Sequence, residues 1–388
     1  MDRLEQLRGQ VLAAVAPLEG ERVSLARAAG RHLASPAHAV RAAPPFTCSA
    51  MDGYAVRAAD VVGGRALRVA QTLYAGDPPG DALGPAEVAR IFTGAPLPPG
   101  ADAVVREEGA REERGAVTFR DAAVRGENLR LAGEDVPAGG LALEAGTRLG
   151  ARQLALLAAV GVDEVTAVRV PRVALLSTGD ELVLGRTPDS NGWAIAASLR
   201  ALGASVERRA VGDDVAAVER EVARAIAECD ALVTIGGVSV GAKDLVRTAL
   251  VNAGAEVRVH GVPMKPGKPF LFAIAGGKPL LGLPGSPSAC LVAFEVFARP
   301  ALLRLAGSAR PLRRALWLPL AEGVSGRPGR ARYLWARIEP EGRVRPIGRD
   351  AAQVRGPALA DALVRVPEGV GDVAAGETVE AWLLEDDA

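Results

Sequence analysis

Apolar residues recur at helical spacing where the chain begins: Leu4, Leu7, Val11, Leu12 and Val15 fall on one face. Residues 1–33 read as helical, with a second short helix from Ser24 to His32. From 36 to 128 the pattern breaks into short alternating segments, Tyr54–Val56, Ala66–Ala70, Glu87–Phe92 and Ala103–Glu107. Gly- and Pro-rich turns such as AGDPPGDALG and GAPLPPGAD separate them, which predicts a small β-rich unit. A helical run, ARQLALLAAVGV, returns at 151–162 and is expected to rejoin the opening helices around a β-rich insertion.

From 171 onward strands and helices alternate. Strand patterns at 172–177, 204–209, 231–235, 256–259, 269–274 and 279–283 are interleaved with helical ones at 193–202, 214–228 and 243–253. A long apolar helix is expected over 286–305. Strongly apolar strands alternating with helices predict a three-layer α/β/α domain with a mostly parallel sheet. Its ligands should collect beyond the carboxyl ends of the strands. Residues 308–388 return to strand patterns. The whole reads as a multidomain α/β protein. A helical N-terminal part spans 1–40 and 129–168, a β-rich inserted domain 41–128, the α/β domain 169–307 and a C-terminal β domain 308–388.

The chain's 388 residues carry 46 basic and 46 acidic side chains, so a polybasic nucleic-acid binder is disfavoured. Three widely spaced cysteines, Cys48, Cys229 and Cys290, make neither a disulfide framework nor a thiolate zinc site. Free thiols suit a reducing cytoplasm. No apolar run approaches the about 20 residues of a membrane span, so no membrane partner is expected. His32, His38 and His260 form no metal pattern. One imbalance matters: 42 Arg stand against 4 Lys, and all four lysines lie between 243 and 278. A retained lysine points to a need for a compact, flexible point charge rather than a planar fork.

Several loops could carry chemistry. IGGVSVGAKD (235–244) follows a strand and precedes a helix, and Gly236, Gly237, Ser239 and Gly241 could cradle an anion or form an ordinary turn. MKPGKPF (264–270) sets Lys265 and Lys268 across a Pro-Gly turn, where their repulsion is relieved by an oxyanion or by solvent. Pro284, Gly285 and Ser286 open the last helix of the domain, as a cap or as a second phosphate loop. Asp180 and Glu181 in STGDEL, Asp213 and Asp214 in VGDD, and Asp244 all follow strands. They could hold Mg²⁺ or cap helices. In the insertion, Asp52, Thr93, Glu134 and Asp135 form a polar set that could close over the crevice, from the same or a second subunit.

In CSAMDGYAV, IFTGAPLPPGADAVV, GENLRLAGEDVPAG, STGDEL, SNG, VGDD, GGVSVGAKD, MKPGKP and LPGSP, taken in order, the chain resembles the molybdopterin molybdenumtransferase family. This family is MoeA-like and related to the E domain of gephyrin. The resemblance implies an elongated homodimer of four-part subunits that inserts molybdate into adenylylated molybdopterin. Mg²⁺ assists, AMP is released, and a molybdopterin adenylyltransferase is the possible substrate donor. It also implies a crevice between the α/β domain of one subunit and the insertion of the other.

By motif, Asp52, Thr93 and Asp135 would line the insertion side, and Asp180, Glu181, Asp213 and Asp244 the α/β side. Ser239 and the neighbouring glycines would hold phosphate or the pterin terminus, and Lys265 and Lys268 would face molybdate or phosphate. Asp180, Glu181 and Asp213 would be the metal ligands. Two departures stand out. Ser286 replaces the family's usual Asn, and IGRDAAQVRGPALADAL places Gln353 and Arg355 where small hydroxyl residues are usual. Arg330, Arg332 and Arg349 offer positive charge there. A non-enzymatic scaffold and a tungstate-inserting transferase are the competing readings.

Overall fold

The computed structural model describes residues 2–238, 245–326, 328–348 and 353–384. At its centre is a six-stranded sheet. The strands Ser205–Val211, Arg172–Thr178, Ala231–Ile235 and Lys278–Leu283 run parallel in that spatial order. Leu271–Ala275 and then Glu256–His260 continue the sheet antiparallel, so the parallel character stops at the fourth strand.

Alternation along the central strands builds the three layers. Val173 and Leu175 pack with Ile195 and Leu199 of the helix Ser190–Ala201 and with Phe294 and Phe297. Their neighbours Ala174 and Leu176 face Val218 and Val222 of Val215–Glu228 and Val246 and Leu250 of Leu245–Asn252. Both faces are covered, which is why the interior strands Arg172–Thr178, Ala231–Ile235 and Lys278–Leu283 are mostly apolar and buried, whereas the edge strand Ser205–Val211 is largely polar.

The expected helix over 286–305 is a continuous helical run with one irregularity. Pro287–Ala293 and Arg299–Leu305 are α-helical, and Phe294–Ala298 forms a π turn between them. Pro300 has no N–H to donate back to the preceding turn, and a widened turn absorbs that loss.

The reading of 1–33 as helical is corrected. Only Arg3–Ala13 and the single turn Leu25–Ala28 are α-helical, and Gly20–Ser24 is a strand. It pairs antiparallel with Glu164–Val168, partners 140 and more residues away that local periodicity cannot register. The first helix does not join the helical run at 151–162. Leu4, Val11 and Val15 enter the core beneath the α/β domain, whereas Leu157 of Ala151–Ala159 packs with Val23, Ala28 and Leu33.

The insertion hangs on a stem of short pairings. Ala37–His38 pairs with Leu141–Leu143, and Cys48–Ser49 with Leu129–Arg130. Beyond the stem lies a second six-stranded sheet containing Gly53–Val56, Leu67–Leu73, Glu87–Ile91 and Ala103–Arg106. The C-terminal sheet is built from Ala315–Pro319, Ala331–Ile338, Val344–Pro346, Ala362–Val366 and Thr378–Leu383. Met264–Lys265 pairs parallel with Ala331–Ile338, so the lysine loop of the α/β domain forms an edge strand of this sheet. No helix of the described residues is long and apolar enough to cross a membrane.

Phe270 and Phe297 stack at 4.3 Å between ring centroids in the largest core, and both are fully buried. Phe297→Ala should therefore cost about 3–5 kcal/mol. Urea unfolding followed by tryptophan fluorescence, to which the buried Trp335 of the same core contributes, measures this, and a loss below about 1 kcal/mol would contradict the packing described.

Candidate functional site

Parallel register brings four loops to one end of the central sheet. Gly236 and Gly237 follow Ala231–Ile235 with positive φ of 84° and 65°. A Cβ on Gly236 would lie 2.9 Å from the Thr178 hydroxyl oxygen, and one on Gly285 would lie 3.6 Å from the Gly236 Cα. The Gly236 N–H donates to the Leu283 carbonyl at 3.0 Å, and the Thr178 hydroxyl donates to the Ile235 carbonyl at 3.2 Å. The loops thus meet at close range, and the positive φ and the 2.9 Å approach at Gly236 leave room only for glycine there.

A second set of bonds fixes the rim. The Asn191 amide donates to the Gly285 carbonyl at 2.7 Å, tying SNG to LPGSP. Asp189 caps the helix Ser190–Ala201 by accepting from the Gly192 N–H at 2.8 Å. Its other oxygen accepts from the Ser177 hydroxyl at 2.8 Å and from Arg208 at 3.1 Å. The loop chemistry in the sequence singled out neither Asp189 nor Asn191 as a site residue, although an Asp-Ser-Asn run ahead of a helix is a capping signature.

Asp180 and Asp213 come together. Asp180 Oδ1 accepts from the Asp213 N–H at 2.9 Å and covers Gly212, where an added Cβ would sit 2.6 Å from that oxygen. The Glu181 carboxylate folds back over Gly179. Asp180, Glu181 and Asp213 are exposed. Among the described residues no three His, Cys, Asp or Glu side chains are placed to hold a metal by themselves. Asp214 is a helix cap, accepting from the Ala217 N–H at 2.7 Å. Ser239, Gly241 and Asp244, and with them Lys243, lie outside the described residues, as does Arg349.

Pro284 is buried, Gly285 exposed and Ser286 half-buried. Ser286 occupies the N-cap position of Pro287–Ala293, but its hydroxyl makes no capping bond. Its side-chain oxygen is therefore not committed to the helix. The lysine loop packs against this same helix: a Cβ on Gly267 would lie 3.5 Å from the Ala289 carbonyl oxygen. Lys265 and Lys268 flank Gly267 with exposed side chains, and Lys265 is opposite Arg332 in the parallel pairing. Lys278 has a different role, donating to the Ile226 carbonyl.

The insertion residues form their own cluster. Asp52 Oδ1 accepts from both the Thr93 N–H at 2.8 Å and the Thr93 hydroxyl at 2.7 Å. These two bonds hold the Asp52 carboxyl below its ordinary range. Arg130 donates to Glu134 at 2.7 Å and to Asp135 at 2.6 Å, and it holds Glu134 down in the same way. Backbone bonds from Ala50 to Asn128 and from Gly94 to Ser49 lock the three motif loops together. Asp52 and Asp135 therefore belong to one surface, while Asp180, Asp213 and the glycines belong to another. Arg130, which pairs with the acidic pair GED, was not singled out from the sequence; its Glu at i+4 was the available signal.

The three thiols are buried, and burial pushes each of them up. None is an activated nucleophile.

Comparison with known proteins accounts for these loops. Residues 3–161 match the MoeA N-terminal region (domain I and II), 174–304 a probable molybdopterin binding domain, and 318–384 the MoeA C-terminal region (domain IV). A molybdopterin molybdenumtransferase of Nostoc sp. is 40% identical over 306 residues, 75% of this chain and 70% of the relative. Molybdopterin molybdenumtransferase 2 of Mycobacterium tuberculosis is 36% identical over 382 residues, 93% of this chain and 94% of the relative. The crystal structure of the molybdopterin biosynthesis MoeA protein from Pyrococcus horikosii superposes with a TM-score of 0.78 at 32% identity, covering 99% of each chain. On this agreement of sequence and fold, the chain belongs to the molybdopterin molybdenumtransferase family.

Proposed function

We propose that the crevice at the carboxyl ends of the central strands transfers molybdate to an adenylylated molybdopterin and releases AMP. The observation that carries this reading is that the close-packed glycine loops, the exposed Asp180 carboxylate bonded to the Asp213 N–H, and the exposed lysine loop between His260 and Leu271 all lie at one end of the central sheet. Glycine backbone can approach a phosphate chain closely, and the two lysines offset the charge of an incoming dianion. The acceptor's dithiolene sulfurs are its own, which agrees with three buried thiols that take no part.

Attack by a water or molybdate oxygen at the pterin-phosphate phosphorus breaks the phosphoanhydride bridge, and the bonding pair leaves as charge on the departing AMP phosphate. Lys265 and Lys268 would neutralise oxyanion charge, and Ser286 Oγ, uncommitted to its helix, would donate to a phosphate oxygen. Asp180, Glu181 and Asp213 supply oxygen donors only, with Asp180 Oδ1 already engaged. Such a set suits Mg²⁺, which keeps several waters and shares substrate phosphates instead of filling a closed protein cage. When bound, Mg²⁺ would supply charge neutralisation on the phosphoryl oxygens.

The second surface, Asp52, Thr93 and Asp135, is held by hydrogen bonds separate from those of the crevice. By resemblance to the family, we infer a homodimer in which the insertion of one subunit closes the crevice of the other. Asp52 then acts as a fixed acceptor, aimed by Thr93. A molybdopterin adenylyltransferase is the donor class this substrate requires.

AMP release from purified adenylylated molybdopterin tests the reading: it should require molybdate, and release indifferent to molybdate would refute it. Lys265→Ala should lower turnover about 10²-fold with an unchanged melting temperature. Glu181→Gln should move the Mg²⁺ activation curve about tenfold or more toward higher concentration, and an unmoved curve removes Glu181 from the metal. Asp52 stays ionised below the usual carboxylate range, so its charge is present throughout the neutral and mildly acidic region. Asp52→Asn should therefore reduce turnover by the same factor at about pH 5 as at about pH 7. A smaller factor at the lower pH would mean that Asp52 had already lost its charge there.

A further inference from the structure

Two adjoining cavities lie between the amino-terminal stem and the α/β domain, at the end of the sheet away from the crevice. The helix Ser190–Ala201 begins at the crevice and ends here, on the order of 18 Å further along its axis. One cavity, of about 620 Å³, is bounded by Arg27, Gly30 and Arg200, and the other, of about 630 Å³, by Arg152, Ser308 and Arg310. His32, Arg148, Ala201 and Leu202 line both, so the two are chambers of a single cleft.

The charge in this cleft is one-sided. Eight arginines line the chambers, against two glutamates, Glu21 and Glu144. In a chain of net charge 0, that excess is local. Some of these arginines are already engaged: Arg31 pairs with Glu21 and Arg169 with Asp230, both within 2.7 Å. Among the described residues Arg27, Arg152, Arg200 and Arg310 form no ion pair. The buried His32, on the wall between the chambers, registers the imbalance. Burial first, and then the positive charge of Arg148, push its pKa down to about 4.

We propose that this cleft binds an oligophosphate anion. Guanidinium forks match phosphate oxygens in pairs, and each chamber falls within the size of ordinary ligand sites. Arg27 of Leu25–Ala28 and Arg152 of Ala151–Ala159 come from the amino-terminal helical part, and Arg200 and Arg310 from the α/β domain and the segment leaving it. An anion between them replaces repulsion across the cleft with attraction, so binding draws the two units together. The site is separate from the crevice and takes no part in the transfer of molybdate.

The test is calorimetric titration of tripolyphosphate into the Lys265→Ala/Lys268→Ala protein, which weakens phosphate binding at the crevice. The expected result is saturable binding that weakens with added salt. Introducing Arg152→Ala/Arg310→Ala as well should lower the affinity about tenfold or more. The chain has three histidines, so the His32 ring signal can be followed by NMR. Bound anion should raise its midpoint by about one unit. ATP binding more tightly than tripolyphosphate would identify a nucleotide as the ligand; equal binding would identify the phosphate chain alone. No binding, or binding that neither moves His32 nor responds to the arginine substitutions, overturns the proposal.

Discussion

Close approach of backbone at the carboxyl ends of three parallel strands is the constraint on which the crevice depends. Gly236 meets Thr178 with no space for a side chain, since a Cβ on Gly236 would come within 2.9 Å of the Thr178 hydroxyl, and Gly285 lies in van der Waals contact range of Gly236. Parallel register sets this meeting, because Ser177 lies opposite Ile235 and Ile235 opposite Leu283. Shifting one strand by a residue would separate the loops and turn buried faces outward. The chemistry is thus placed by the sheet, and the sheet is held by apolar strands packed on both faces.

The rim is organised by hydrogen bonds that reach over long stretches of sequence. Asn191 clamps Gly285 from 94 residues away, and Asp189 gathers Ser177, Gly192 and Arg208. On the insertion side Thr93 fixes Asp52 from 41 residues away. In each case a carboxylate or amide is oriented in advance, so little reorganisation is left for the moment of reaction. The lysine loop is braced twice, by the C-terminal sheet through Met264–Lys265 and by Ala289 of the helix behind it. The C-terminal domain thereby supports the crevice even where its own residues differ from the family pattern.

Much of this was legible in the residues. Apolar strands alternating with helices announced the three-layer domain, and the strand-then-loop order of Gly236, Lys265 and Asp180 announced that these residues lie at one end of its sheet. What stayed hidden was non-local. Gly20–Ser24 has a helix-compatible composition and becomes a strand because Glu164–Val168 pairs with it. Asp214 carries the same side chain as Asp213, yet it caps a helix while Asp213 meets Asp180. Lys278 shares the lysine-rich stretch with Lys265 and Lys268 but spends its ammonium on a carbonyl. Residue type cannot separate such cases; only the position of each partner in space does.

In the proposed function, the glycine–lysine crevice and the Asp52–Thr93 surface act as one site across two subunits. Co-expression of an Asp52→Ala chain with a Lys265→Ala chain tests this most directly. Each mixed dimer would hold one site with both residues intact, so AMP release should recover well above that of either variant alone. If mixed dimers form and remain as inactive as the separate variants, the two surfaces do not meet across subunits and the account is contradicted.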